Sequence, residues 1–399
     1  MKGDKKVMKY KQATMAIHGD ESNKGKSEPV TIPIYQSSTY IFPDTDAMEG
    51  YMSRGEKKQH VYVRYGNPAQ DQLNKRLALL ECTEDALVYS SGMAAITTAV
   101  LSVLRKGDEL LAIATLYGQA LNFLTEALPE QYGIGSRFIQ LDELDNLEAH
   151  VRDRTKLLYL ESPTNPNLQI VDIPKVVEQA RRMGLKTMMD NTFATPINQQ
   201  PISLGIDYVI HSATKYLGGH SDILAGVTAG PKDFIHECDE RMHMYGPTLD
   251  PFATFLMLRS LKTLEVRIHR QNENAMKLAL FFKEHPKVKK IYYPGLPDDP
   301  FHEIAKKQMR GFGGIVTIEL EGGKKEAMHF VDQLNMCLNA TSLGGVETLV
   351  SIPVISSHVW QTEEELELAK ITPQMVRFSV GLEDAEDIIA DCEQALNRI

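Results

Sequence analysis

Between residues 86 and 214 short apolar runs alternate with helical patterns, and this alternation constrains the fold more than any other feature. The runs at 86–89, 109–114, 137–141, 156–160, 186–189 and 208–210 read as strands. Helical spacing appears at 92–104, 143–152 and 173–183, where Gly184 supplies a stop. A further helix at 70–81 precedes them, with Leu73, Leu77 and Leu80 on one face. Strands that alternate with helices build a mostly parallel, doubly wound α/β sheet covered on both faces. In such sheets ligands bind outside the carboxyl ends of the strands.

The polar residues collect at those ends. Ser91 and Gly92-Met93 follow the first strand and open a helix, whose free amides suit a phosphate; a simple serine cap reads equally well there. Tyr117 follows the second strand and offers a flat face, or is a core aromatic. Asn165 lies in the polar turn 161–166. Asp190 ends its strand, as a turn aspartate or as a carboxylate for a ring N–H⁺. The strand 208–210 breaks into Ser212, Thr214, Lys215 and two glycines. A lysine held near apolar strand ends has its proton affinity lowered, so its neutral amine attacks a carbonyl and forms a Schiff base. The neighbouring hydroxyls suit a phosphate, and pyridoxal phosphate meets both demands. Taken alone, Lys215 is as readily a surface lysine at a strand-to-turn boundary. The convergence of separate residues on one sheet edge favours a phosphate-and-ring site.

The chain of 399 residues allows two or three domains, and 43% apolar with 24% charged residues is an ordinary globular balance. A net charge of −10 argues against nucleic acid and anionic membrane partners. The four scattered cysteines show no metal-ligand spacing, so no metal site is expected, and reduced thiols fit a cytoplasmic protein. The lysine-rich start, residues 1–10, lacks a following apolar segment and is not a secretory signal. Residues 19–29 read as loop, 30–42 as extended chain and 52–60 as a charged, mobile segment. Tyr62-Val-Arg64-Tyr-Gly66-Asn67-Pro68 reads as a turn. Residues 1–65 are taken as an N-terminal extended segment, 66–259 as a cofactor-binding domain and 260–399 as an α+β C-terminal domain. Residues 250–285 read as long helix, 314–319 and 376–380 as strands, and 324–334 and 385–396 as helices. Arg377 sits inside a strand, as one half of an internal salt bridge or as a clamp for a substrate carboxylate.

With these motifs together, the sequence resembles the trans-sulfuration (Cys/Met metabolism) family of pyridoxal-phosphate enzymes, a group that includes cystathionine γ-lyase, cystathionine γ-synthase and methionine γ-lyase. The resemblance runs from about residue 13 to the C-terminus. It is carried by 207–222, Ser91-Gly-Met93, Asp190-Asn-Thr192, Ser342-Leu-Gly-Gly345 and 377–384. It implies the large and small domains of a fold-type I pyridoxal-phosphate enzyme. It also implies that Lys215 carries the cofactor and later moves protons, and that Asp190 keeps the pyridine nitrogen protonated. Tyr117 stacks on the ring and is a candidate acid for the leaving group. Gly92, Met93, Ser212 and Thr214 bind the phosphate, while Tyr62 and Arg64 reach the phosphate of a neighbouring subunit in a homotetramer. Arg377, Ser342 and Asn165 bind the substrate α-carboxylate. No nucleic acid or membrane partner is implied.

The expected reaction is γ-elimination on a homoserine- or methionine-like amino acid, giving a 2-oxo acid and ammonia. The alternative is γ-replacement of the cystathionine γ-synthase or O-acetylhomoserine sulfhydrylase type. Behind these stand β-elimination, an aminotransferase and a non-catalytic cofactor-binding protein. The chain departs from the family pattern at Ala69, Gln119-Ala120, Thr341 and Ser356-Ser-His358, so the cofactor residues are complete and the substrate pocket is unusual.

Overall fold

The computed structural model describes residues 10–19, 29–54 and 60–399. The lysine-rich start, most of the 19–29 loop and the middle of the charged 52–60 segment lie outside the described residues. Seven strands form the larger sheet: β1 (Asp85–Tyr89), β2 (Glu109–Ile113), β3 (Gly135–Ile139), β4 (Thr155–Glu161), β5 (Lys186–Asp190), β6 (Tyr208–Ser212) and β7 (Gly226–Gly230). Their order is β1-β7-β6-β5-β4-β2-β3. The neighbours from β6 to β3 are parallel, and β7 runs antiparallel to both β1 and β6. Every residue of β2 is buried, as are all but one of β4. That is why these strands read as unbroken apolar runs rather than alternating ones.

The sheet is therefore mostly parallel, with one strand the apolar pattern does not announce. β7 has the sequence Gly-Val-Thr-Ala-Gly, in which glycines flank only two strand formers and leave no apolar run to read. Its small residues answer to crowding: a Cβ on Gly226 would lie 2.0 Å from the carbonyl oxygen of Ser91. The chain turns back directly from β6 into β7, and Lys215 sits in that return.

The second sheet uses only residues beyond 287: β8 (Val288–Tyr292), β9 (Ile315–Leu320), β10 (Leu338–Asn339), β11 (Leu349–Ser351) and β12 (Met375–Ser379), in the order β10-β11-β12-β9-β8. It is antiparallel except for the β10–β11 pair. The helix Leu264–Glu284 packs on β8 and β9.

Two helices expected as continuous are broken, for local reasons. The 250–285 helix divides into Pro251–Leu261 and Leu264–Glu284. At the break Thr263 has φ −110° and ψ 3°, and its hydroxyl donates to the Ser260 carbonyl at 3.1 Å, competing with the helical ladder. The 143–152 helix is a 3₁₀ stretch, Asp142–His150, kinked at Asn146. The Gln179 side chain donates to Leu144 O at 2.8 Å and accepts from Leu147 N at 3.1 Å, which replaces the helical bonds there. Helical turns over Gly118–Asn122, Phe123–Ala127 and Leu128–Tyr132 carry no clear period and were not expected. Among the described residues no helix is long and apolar enough to cross a membrane.

Candidate active site

A cavity of about 420 Å³ opens at the carboxyl edge of the larger sheet, within the usual range for a small-molecule site. Ser91, Gly92, Met93, Tyr117, Asn165, Asp190, Ser212, Thr214, Lys215, Ser342 and Arg377 all line it. Adjacency in the sheet explains much of this: β4 and β5 pair Glu161 with Asp190, and β5 and β6 pair Asp190 with Ile210, two residues before Ser212. The second sheet contributes Arg377 from β12, and Ser342 from the loop that precedes β11.

Lys215 and Arg377 meet through one residue. Lys215 Nζ donates to Ser342 Oγ at 2.7 Å, and Arg377 Nη2 donates to Ser342 O at 3.0 Å. Ser342 holds φ +100°, a strained conformation for a residue with a side chain, kept where two cations converge on it. Arg377 Nη1 donates to Asn165 Oδ1 at 2.9 Å, and its Nε has no partner among the described residues. Burial, and then the Arg377 charge, lowers Lys215 to about 8. Burial lowers Arg377 itself to about 10.

The carboxylates shift the other way. Burial pushes Asp190 above its ordinary value, against hydrogen bonds from Thr192, whose amide donates at 2.9 Å. Burial and then the Asp190 charge raise Glu161 well above its ordinary value. Glu161 accepts from the Tyr117 amide at 2.9 Å. Burial, then Glu161 and Asp190, raises the Tyr117 phenol.

The turn into the helix Gly92–Val103 forms a cradle. Ser91 caps it, accepting from Ala94 N at 3.1 Å, and the first intrahelical bond is Ala95 N to Ser91 O. The amides of Gly92 and Met93 come before that bond, as an anion site at a helix start requires. A Cβ on Gly92 would lie 2.8 Å from Ser212 Oγ, so only glycine keeps this cradle open. The Thr214 hydroxyl lines the cavity while bonded to the Ala225 backbone at 3.0 and 3.2 Å.

Tyr62 and Arg64 do not line this cavity. Arg64 Nη1 donates to His243 O at 2.8 Å, and its guanidinium lies over the rings of Tyr62 and Tyr65. Asn67, read as a turn residue, caps the helix Pro68–Leu80 through Ala69 N and Gln70 N.

Sequence reasoning passed over Glu161, although an acid closing an apolar strand is the signal that marked Asp190. It also passed over Leu224 and Trp360, 61% and 77% exposed, which share the cavity wall with Gln119 and Thr341. No periodicity marks either residue. His358, buried beside Arg377, is lowered to about 4, by burial first.

The family model for Cys/Met metabolism PLP-dependent enzymes matches residues 13–397. This chain belongs to that family. It is a pyridoxal-phosphate-dependent enzyme, and the lysine, the helix-start cradle and the buried carboxylate fit that cofactor. The L-methionine γ-lyase of Fusobacterium nucleatum subsp. polymorphum is 40% identical over 98% of this chain and 99% of its own. The cystathionine γ-lyase of Bacillus subtilis is 39% identical over 98% of this chain and 100% of its own. A solved structure from Campylobacter jejuni, named as an O-acetylhomoserine (thiol)-lyase, has a TM-score of 0.91 at 30% identity. It covers 97% of this chain and 100% of its own, and it carries an N′-pyridoxyl-lysine-5′-monophosphate.

Proposed function

We propose that this family member catalyses γ-elimination on a homoserine- or methionine-like amino acid, releasing a 2-oxo acid and ammonia. The observation that carries the reading is the Lys215 amine, its proton affinity depressed by burial and by Arg377, and joined to that arginine through Ser342. When bound, pyridoxal phosphate supplies an aldehyde for amines and a ring that accepts electrons. Lys215 would hold the aldehyde. When free of it, Nζ would take the proton from the substrate Cα, give it up again, and only then take one from Cβ. Asp190 would pair with the ring nitrogen and favour its protonated form. Tyr117 would offer its ring to the cofactor and its hydroxyl to the leaving group. Gly92, Met93, Ser212 and Thr214 would hold the phosphate. Arg377, with Asn165 and Ser342, takes the substrate carboxylate; the guanidinium already bonds to both residues.

The wall carrying Gln119, Thr341, Leu224 and Trp360 has no ionisable side chain among those four. That supports uncharged γ-substituents over the zwitterionic end of cystathionine. In D₂O the enzyme is expected to exchange deuterium at both Cα and Cβ, and to release 2-oxobutanoate from methionine or homoserine esters. Exchange at Cα alone, with pyruvate from cysteine-type substrates only, refutes the γ assignment. The likeness to an O-acetylhomoserine (thiol)-lyase supports γ-replacement as the second reading; an added thiol then diverts 2-oxobutanoate into a thioether amino acid.

The active assembly is proposed as a homotetramer of site-sharing dimers in the cytoplasm, with Tyr62 and Arg64 serving a neighbour's phosphate. Support comes from Arg64, which lies outside its own chain's cavity, and from four free cysteines. Mixing Arg64→Ala with Lys215→Ala chains restores activity if sites are shared. No recovery between demonstrably exchanging subunits refutes it.

A further inference from the structure

Arg267 is buried, 3% exposed, in the opening turn of the helix Leu264–Glu284. No carboxylate partners it among the described residues. Its three hydrogen bonds go to neutral acceptors: Nη1 to Tyr216 O at 2.8 Å, Nη2 to Ser260 O at 3.1 Å and Nε to Thr263 Oγ1 at 3.2 Å. A buried guanidinium without a counter-ion is an unfavourable arrangement, and the start of a helix is the wrong end for a cation. Partial compensation comes from the preceding helix, Pro251–Leu261, because Ser260 O lies in its last turn, where the helix dipole is negative. Packing alone does not call for a charge here.

The other end of the guanidinium shows what it does. Tyr216 directly follows Lys215. Gly219, at φ +69°, leaves the room: a Cβ there would lie 1.9 Å from Arg267 Nη1. Gly344, beyond Ser342, also lies against the Lys215–Tyr216 peptide, where its Cβ would be 2.6 Å from Tyr216 N and 3.0 Å from Lys215 C. The Lys215 backbone is thus enclosed by one glycine that makes room for Arg267 and one that approaches directly. Its amine is held by Ser342.

We propose that Arg267 is a positioning residue for Lys215: its fork fixes the Tyr216 carbonyl and so holds the lysine in the buried pose from which its neutral amine attacks the cofactor aldehyde. This rests on the reading of Lys215 as the cofactor lysine. With the fork removed, the loop relaxes and Lys215 Nζ gains access to water. The amine donates to Ser342 from the loop before β11 and feels the Arg377 charge from β12, while the other titratable groups lining the same cavity are Tyr117, Glu161 from β4 and Asp190 from β5.

The test uses apo-enzyme and reads capture of pyridoxal phosphate against pH, trapped with borohydride and mapped to its peptide. Wild type is expected to label Lys215 with a midpoint at about 8. Arg267→Met is expected to move the midpoint toward the ordinary lysine value of about 10.4 and to slow capture at pH 7 by at least about tenfold. Arg267→Lys, which keeps charge but loses the fork, is expected to recover only part of this. Gly219→Ala, which displaces the guanidinium while leaving Arg267 in the chain, reproduces the shift and serves if the first variant does not fold. In the holoenzymes kcat falls while KM changes little. Label on another lysine in wild type refutes the Lys215 reading. Correct labelling with an unmoved midpoint in a folded Arg267→Met or Gly219→Ala protein overturns the role of Arg267, whatever happens to Tm.

Discussion

The two ends of the larger sheet treat buried charge in opposite ways. At the amino end Glu109 opens β2, fully buried, and is surrounded by donors: Thr155 Oγ1 at 2.7 Å, Arg137 Nε and Arg154 Nε at 3.1 Å, and Arg152 Nη1 at 3.5 Å. Burial pushes its carboxyl up, but the Thr155 and Arg137 hydrogen bonds and the arginine charges outweigh this, and the carboxyl is lowered overall. At the carboxyl end Asp190 and Glu161 lie side by side with few donors and are raised, while Lys215 and Arg377 are lowered. The same burial produces a satisfied carboxylate at one end and four poised groups at the other. The difference is the supply of partners: the amino end is saturated, and the carboxyl end is left for a ligand to complete.

The largest break in this contrast is Lys215→Ala. It removes the amine proposed to hold the aldehyde and move protons, and activity is expected to fall by at least about 10³-fold. Borohydride then leaves no pyridoxyl label in the 213–225 segment. Thermal unfolding of the apo-form changes little or improves, since the substitution removes a buried amine that lacks an acidic partner among the described residues.

Glu109→Gln is the complementary break. It removes the buried acceptor of several charged hydrogen bonds, but the arginines it leaves are partly exposed and water can reach them, so the cost is about 1–3 kcal/mol. Denaturant unfolding should read that loss, while kcat/KM of the folded fraction stays within about twofold. A selective loss of kcat at unchanged stability contradicts the division between the two ends.

This division was only partly legible in the sequence. The strand ends announced Asp190 and Lys215 because an apolar run that stops on a charged residue fixes where that residue must emerge. Gly92 was legible as a small residue at a helix start, and Ser212 as a hydroxyl at a strand end beside Lys215. The seating of Lys215 was not: Arg267 and Ser342 come from residues far along the chain, and nothing local marks an arginine that will reach back to Tyr216. β7 was hidden because crowding against Ser91 selects glycine over strand formers. The break at Thr263 turns on one hydroxyl bond, invisible to a periodic pattern. Leu224 and Trp360 join the site only through the fold around them.

Glu161→Gln sharpens the comparison at smaller scale. Glutamine keeps an acceptor for the Tyr117 amide but removes the charge beside Asp190. Since Asp190 raises Glu161 and both raise Tyr117, one neutralisation relieves the phenol. The expected result is a kcat/KM change of less than about 10²-fold, with the basic limb of the pH profile moved to lower pH. An unmoved limb argues that Tyr117 does not titrate in the reaction.

The smallest expected effect is the most direct reading of the contrast, because it sets opposite signs against each other. Glu109 has a lowered folded pKa, so its stabilisation is full above its ordinary value of 4.5 and is lost as pH falls through the folded one. Asp190 has a raised folded pKa, so in the apo-form its ionisation is a penalty at neutral pH, relieved as pH falls through the raised value. Apo Asp190→Asn is therefore expected to be more stable than wild type at pH 7, by about 0.5–2 kcal/mol, the range seen when strain at a functional site is removed. The gain shrinks to nothing on acidification, and so does the loss in Glu109→Gln. Denaturant midpoints for both variants and wild type at a series of pH values give the two curves. They should approach wild type from opposite sides, and Asp190→Asn should also bind pyridoxal phosphate more weakly. If Asp190→Asn is destabilised at neutral pH, that carboxylate is satisfied within the protein like Glu109, and the carboxyl end of the sheet is not left open for a ligand.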